Sequence, residues 1–350
     1  MQARARGSRC IGIGLLAGFT FVLATAQARA QTPEEFYKGR TVTLIIGSGA
    51  GAGYDVYGRL LARHIIRHIP GQPHILVQNM PGAGGIKAAN YLGSIAVRDG
   101  SLISDSYSTM PLYPLLDGQG ATFDPLKFNW LGSIARAMSA CIAWHTTSFQ
   151  TLDDAIAREM RVSATGIGGW RVIAPRILNL LVGSKFRVIT GYGPGEDYLA
   201  IERGEVDGAC TTYDTLQATE YDWLRQKKVR FIAQFGQQPE PGLEGATMVR
   251  ARIKDAEDQK AFALIMSQQE YGRPFAMPPG VPADRVQAMR MAFDATMKDP
   301  SFRAEAQQAH LWLDSLTGER MEDLIKAAYA APPSTIQRAR TILAQVQRSN

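Results

Sequence analysis

Two rhythms of apolar residues alternate along the chain. Short continuous runs at 41–47 ("TVTLIIG"), 74–79 ("HILVQN") and 99–106 ("DGSLISDS") are bounded by Gly, Pro and Asp and predict three buried strands. Between the first two, Val56, Leu60, Leu61, Ile65 and Ile69 recur at helical spacing, which predicts a helix from about Val56 to Ile69, stopped by Pro70 and Gly71. After the second strand, "MPGAGGIKAANYL" is a glycine turn opening another helix. A second series begins near 139–146 ("SACIAWHT"), with Thr151 as N-cap of a helix. "RVSATGIGGW" and "FRVITGYGPGED" then repeat strand followed by glycine turn, and "EVDGACTTYD" and 228–236 ("KVRFIAQFG") add strands. Beyond 236 the pattern is amphipathic and helical throughout. The alternation predicts an α/β protein of two units, each a largely parallel sheet with helices on its faces, and a late helical wrap.

The first thirty residues read as an address. Arg4, Arg6 and Arg9 precede an apolar run from Ile11 to Ala26, and Ala28-Arg29-Ala30 is an A-x-A pattern, so a signal peptide cleaved before Gln31 is expected. The apolar run is shorter than the ~20 residues a spanning helix needs. The charge argument changes with it. The chain has 38 Lys and Arg against 32 Asp and Glu, but four of the arginines lie in this segment, leaving 34 against 32. The apparent basicity belongs to the discarded residues, and no basic run remains to indicate nucleic acid. Cys141 and Cys210 remain; both look strand-embedded, where buried single thiols are common, and an oxidising compartment leaves pairing as the alternative.

The stretch "GSGAGA" fits G-x-G-x-x-G/A at Gly47, Gly49 and Ala52, between a strand and a helix, as a dinucleotide fingerprint would. A dinucleotide site also needs an acid about 20 residues on, to hold the ribose. The second strand ends instead in Gln78-Asn79. No G-x-x-x-x-G-K-[ST] occurs either. What remains is a helix N-terminus with unpaired N–H groups behind glycines that admit an anion. Each such turn taken singly is an ordinary α/β connection. Four of them, "GSGAGAG", "PGAGG", "TGIGG" and "GYGPG", stand at corresponding strand ends, and facing each other across a cleft they can grip a small carboxylate.

The stretches "FYKGRTVTLIIGSGAGAGYDVYGRLLARHI", "PGQPHILVQNMPGAGGIKAANYL" and "RDGSLI" together resemble the tripartite tricarboxylate transporter solute-receptor family. The likeness continues through "STMPLYPLL", "FNWLGSIAR", "ATGIGG" and "GEVDG", and the Asn79–Gly85 turn is its most specific piece. The resemblance implies an extracytoplasmic carboxylate-binding protein with a two-lobe, type II-like periplasmic-binding-protein fold, a cleft between the lobes and two crossovers. It implies a first lobe of 31–138 plus 232–350 and a second of 139–231. From the first lobe it implies ligand contacts by Ser48, Gly49, Ala50, Gly51, Gly53, Tyr54, Asp55, Pro81, Ala83, Gly84 and Thr109. From the second it implies Thr165, Gly166, Gly168, Trp170, Tyr192 and Asp214. Asp55 is expected to cap the first turn rather than to touch a carboxylate. Where the family commonly has a serine after the third turn, this chain has Gly169 and Trp170, and "GYGPGED" with Glu196 replaces a more usual lysine-glycine stretch. Those departures point away from citrate, toward a monocarboxylate or an aromatic acid.

His64 and His68 lie at i and i+4 with His74 beyond, a spacing that permits a shared metal, but no H-E-x-x-H is present and a half-exposed helix face is the simpler account. No G-x-S-x-G appears. The sequence reading is therefore a periplasmic, monomeric solute receptor without metal, cofactor or catalytic step, whose partners are a carboxylate and the permease subunits of a tripartite transporter. Its rivals are a receptor feeding a two-component sensor and an exported enzyme using His145 or Asp214 as base.

Overall fold

The computed structural model describes residues 31–164, 169–193 and 195–348; the expected signal segment 1–30 and its cleavage lie outside them. The three strands expected first are present as β1 (Thr41–Ile46), β2 (His74–Asn79) and β3 (Leu102–Asp105), and β4 (Asn129–Ser133) follows. The next six, β5 (Ser139–Trp144), β6 (Met160–Ser163), β7 (Phe186–Ile189), β8 (Gly208–Thr212), β9 (Val229–Gln234) and β10 (Thr247–Met248), form a separate sheet. β11 (Pro274–Met277) and β12 (Leu316–Thr317) then rejoin the first four. The sheets run β12-β4-β11-β3-β1-β2 and β10-β9-β5-β8-β6-β7.

In each sheet the glycine-turn strands are parallel: β1 with β2 and β3, β6 with β7 and β8. β5 and β11 are the first strands after the chain passes from one sheet to the other, and each is antiparallel to both of its neighbours. The molecule is thus an α/β fold of two mixed sheets crossed twice by the chain.

Helix Gly53–Ile65 begins three residues before its expected start, because Ala52 is extended and serves as N-cap directly after the glycines. Its Tyr57, Leu60, Leu61 and Ile65 join Ile46, Ile103 and Phe275 in the core on the first sheet. The periodicity runs on to Ile69, which is buried although the hydrogen bonds have by then tightened into turns. Gly58 is where this helix lies closest to the sheet: a Cβ there would come within 2.8 Å of Ile46. His64 and His68, weighed as metal ligands, instead face helix Pro300–Gln308 and its cap, with Nε2 of each 2.5 Å from Glu305 and 2.8 Å from Asp299.

The chain beyond 236 is not wholly helical. β11 escapes the pattern because it is only four residues long, opens on proline and buries every residue, so it shows no alternation. Two late helices, Ala256–Met266 and Pro333–Arg348, place Phe262, Ile265, Ala339, Ile342 and Val346 in the core of the second sheet, with Val162 and Ile177. β9, β10 and these helices go with the second sheet, so the sheets divide the chain at other points than the lobe limits drawn from the motifs. Cys141 and Cys210 are paired residues of β5 and β8, fully buried and joined in a disulfide. No helix among the described residues is long and apolar enough to cross a membrane.

Candidate functional site

A cavity of about 440 Å³ is lined from both sheets. The first contributes Tyr54, Gly84 and Tyr107 to Thr109; the second contributes Ser139, Gly169 to Arg171, Ile173, Thr211, Thr212 and Thr215. Gln268, Gln269 and Arg273 come from the segment returning to β11. Of the side chains and turns read from the sequence, Tyr54, Gly84, Thr109 and Trp170 are brought together here.

The first glycine turn is shaped by its own side chains. Gly51 has φ +80° and donates its N–H to Asp55 Oδ2 at 2.9 Å. Asp55 also accepts Arg59 Nε (2.9 Å) and Asn79 Nδ2 (2.8 Å), and that amide in turn donates to the Ser48 carbonyl at 2.9 Å. Burial opposes ionisation of Asp55, but the hydrogen bonds from Arg59, Gly51 and Asn79 outweigh it and hold the carboxyl below its ordinary range. Asp55 is therefore spent on the turn, and it ties this turn to the end of β2. Ser48, Gly49, Ala50 and Gly51 are not cavity-lining. Helix Gly53–Ile65 has no side-chain cap, so its first-turn N–H groups lack an intrahelical acceptor where Tyr54 meets the cavity.

In the second turn Gly84 reaches the cavity, while Pro81 and Ala83 are exposed beside it. Of the third turn, Thr165, Gly166 and Gly168 lie outside the described residues. Gly169 is the N-cap of helix Trp170–Val182, again without a side-chain cap, and Trp170 and Arg171 on its first turn line the cavity. The Trp170 ring meets Phe235 edge-on at 5.5 Å. The fourth turn is occupied from within: Glu196 Oε2 accepts the Gly193 N–H at 2.7 Å. Tyr192 packs toward Tyr198 and Trp223 rather than lining the cavity.

Two arginines, neither singled out by the sequence, are the charged lining residues. Arg171 pairs with the buried Asp197 and lies over the Tyr198 ring, 4.3 Å from its centroid. Arg273 pairs with Asp214, hydrogen-bonds Thr215 Oγ1 at 3.1 Å and lies 4.4 Å over Tyr54 and 4.9 Å over Tyr57. Asp214 is fully buried and reaches the site only through Arg273. His145, the other base considered, is exposed and does not line the cavity. A lone arginine inside the apolar "YGRPFAMPP" was the available signal for Arg273, and the Thr pair in "GACTTYD" the signal for Thr211 and Thr212. Below the first turn, Asp105 at the end of β3 is buried with neither oxygen hydrogen-bonded, and burial pushes its carboxyl well above the ordinary range against the pull of Arg273.

No protein-family model matches the chain. A UPF0065 protein in the gbd 5′ region of Cupriavidus necator is 26% identical over 297 residues, which cover 82% of this chain and 84% of that one. Among solved structures, a TctC solute binding protein from Polaromonas superposes with a TM-score of 0.63 at 20% identity, covering 88% of this chain and 99% of the other. MatC from Rhodopseudomonas palustris, solved with bound malate, gives 0.64 at 17% identity over 87% and 99%. A further Rhodopseudomonas palustris protein, solved with adipate, gives 0.64 at 16% identity over 88% and 97%. The two-sheet architecture is thus the periplasmic-binding-protein fold, and in fold this chain is like the solute receptors of the tripartite tricarboxylate transporter family that its motifs resemble.

Proposed function

We propose that this protein is an extracytoplasmic receptor that captures a small organic carboxylate between two lobes and hands it to a tripartite tricarboxylate-type membrane permease. The observation that carries the reading is a pair of long helices, Gly53–Ile65 and Trp170–Val182, whose uncapped N-termini meet one cavity from opposite sheets. Each helix start carries a partial positive charge and, among the described residues, no side-chain cap, which favours an anion without a dedicated lysine. The malate and adipate found with two structures of this fold support a carboxylate as the class. Hydroxyls of Ser108, Thr109, Ser139 and Thr212 and the rings of Tyr54, Tyr107 and Trp170 set the selectivity. The 47–55 turn acts by placing its helix. The protein works in the periplasm as a monomer after removal of residues 1–30, and no covalent step takes place.

Thermal-shift screening against malate, adipate, citrate and benzoate, followed by calorimetric titration, tests this. One or more of the acids should raise the melting temperature and bind stoichiometrically, and mass spectrometry after overnight incubation should return it unchanged. Stabilisation by glucose or AMP alone would overturn the reading.

A further inference from the structure

We propose that Arg273 is a ligand-binding residue of this cavity. It offers its guanidinium beside the first N–H groups of helix Gly53–Ile65, so that one carboxylate is held by both, and Asp214 positions it. The inference rests on the carboxylate-receptor reading. Arg273 lines the cavity although its side chain is only 4% exposed, and its Nε has no hydrogen-bond partner. Asp214 and Thr215 take up only Nη2, so the edge of the guanidinium that lines the cavity keeps donors for a carboxylate placed there. The guanidinium cannot swing away. Tyr54 and Tyr57 lie under its plane, and Asp214 and Thr215 hold Nη2.

Its neighbour is the helix start itself. A Cβ on Gly53 would stand 3.2 Å from Nη2 and 3.5 Å from Nη1, so the guanidinium lies beside the helix start, whose Tyr54 also lines the cavity. Both are positive, and side by side they repel unless an anion lies against them. Asp214 balances the arginine charge, and Asp55 on the first turn is turned to Gly51, Arg59 and Asn79; neither acid lines the cavity. A planar carboxylate fits that place, because it accepts from the guanidinium and from a helix N–H together.

Calorimetric titrations of wild type, Arg273→Lys and the charge-balanced double variant Arg273→Gln with Asp214→Asn, using malate, adipate and benzoate, test the assignment. Melts by circular dichroism check each fold. For the tightest of the three acids, the double variant should bind at least tenfold more weakly, a loss of about 1.4 kcal/mol or more, and Arg273→Lys should fall between it and wild type. In wild type the Arg273 Nε–H resonance, assigned by its loss in Arg273→Lys, should move when that acid is added. This second readout needs no double variant. A resonance unmoved at saturation, or a folded double variant binding within threefold of wild type, would overturn the role of Arg273 and leave the receptor reading standing. Failure of wild type to bind any of malate, adipate, citrate and benzoate would instead sink the receptor reading, and this inference with it.

Discussion

Asp105 sits at the end of β3 with its carboxyl sealed beneath helix Gly53–Ile65, where a Cβ on Gly58 would come within 3.0 Å of Oδ2. Burial favours its neutral form, and Asp55 adds to this against the opposing charge of Arg273. The folded state therefore keeps a proton that the unfolded chain releases near the ordinary carboxylate value. Its contribution to stability is whole below that value and is lost as pH rises from there through the raised folded value. Asp105→Asn removes the titration, so the variant should gain melting temperature over wild type progressively from pH 5 to pH 8, with the two converging near pH 4. Parallel melting curves across that range would show that Asp105 is ionised in the fold. The strand "DGSLISDS" was legible from its apolar run, but the state of its aspartate was not, because isolation depends on a helix whose Gly58 lies 47 residues earlier in the chain. Asp55 was easier: an acid in the first turn of a helix behind glycines has few other places to go.

Among the elements, β5 and β8 carry both the staple and part of the site. The disulfide joins Cys141 to Cys210, and the same strands bring Ser139 and Thr211 with Thr212 to the cavity, Ser139 opposite Thr212 in register. A bridge closing 69 residues of sequence separation restricts the unfolded chain by about 4 kcal/mol in the loop-entropy account. Melting with and without reductant, or of the Cys141→Ala, Cys210→Ala pair, should show the loss as a lower midpoint; an unchanged midpoint would remove the staple from the account. Strands, glycine turns and the leading helix could be read from periodicity because each carries its own pattern. β11 could not, since a four-residue strand buried on both faces has none, and Arg273 went with it. The fourth turn was over-read: "GYGPG" matches the others in form, yet Glu196 next to it fills the anion position itself.

At the scale of the molecule, the cavity is lined from two sheets that the chain crosses twice. In the proposed receptor, an acid touching both walls would favour a closed arrangement by its differential affinity alone. Small-angle scattering with saturating amounts of the acid that binds in titration should give a smaller radius of gyration than the ligand-free protein. An unchanged radius would mean that capture occurs without closure. The second sheet, whose strands occupy 139–248, is completed by helix Pro333–Arg348, which brings Ala339, Ile342 and Val346 to its core. For a chain emerging in order from the ribosome or a translocation pore, the core of the second sheet thus stays incomplete until helix Pro333–Arg348 is delivered. Its apolar face around Val162 and Ile177 is meanwhile open to aggregation or to a chaperone. Packing of this core therefore needs helix Pro333–Arg348, and a nascent chain arrested near residue 330 is expected to be protease-sensitive through its centre rather than only at its end.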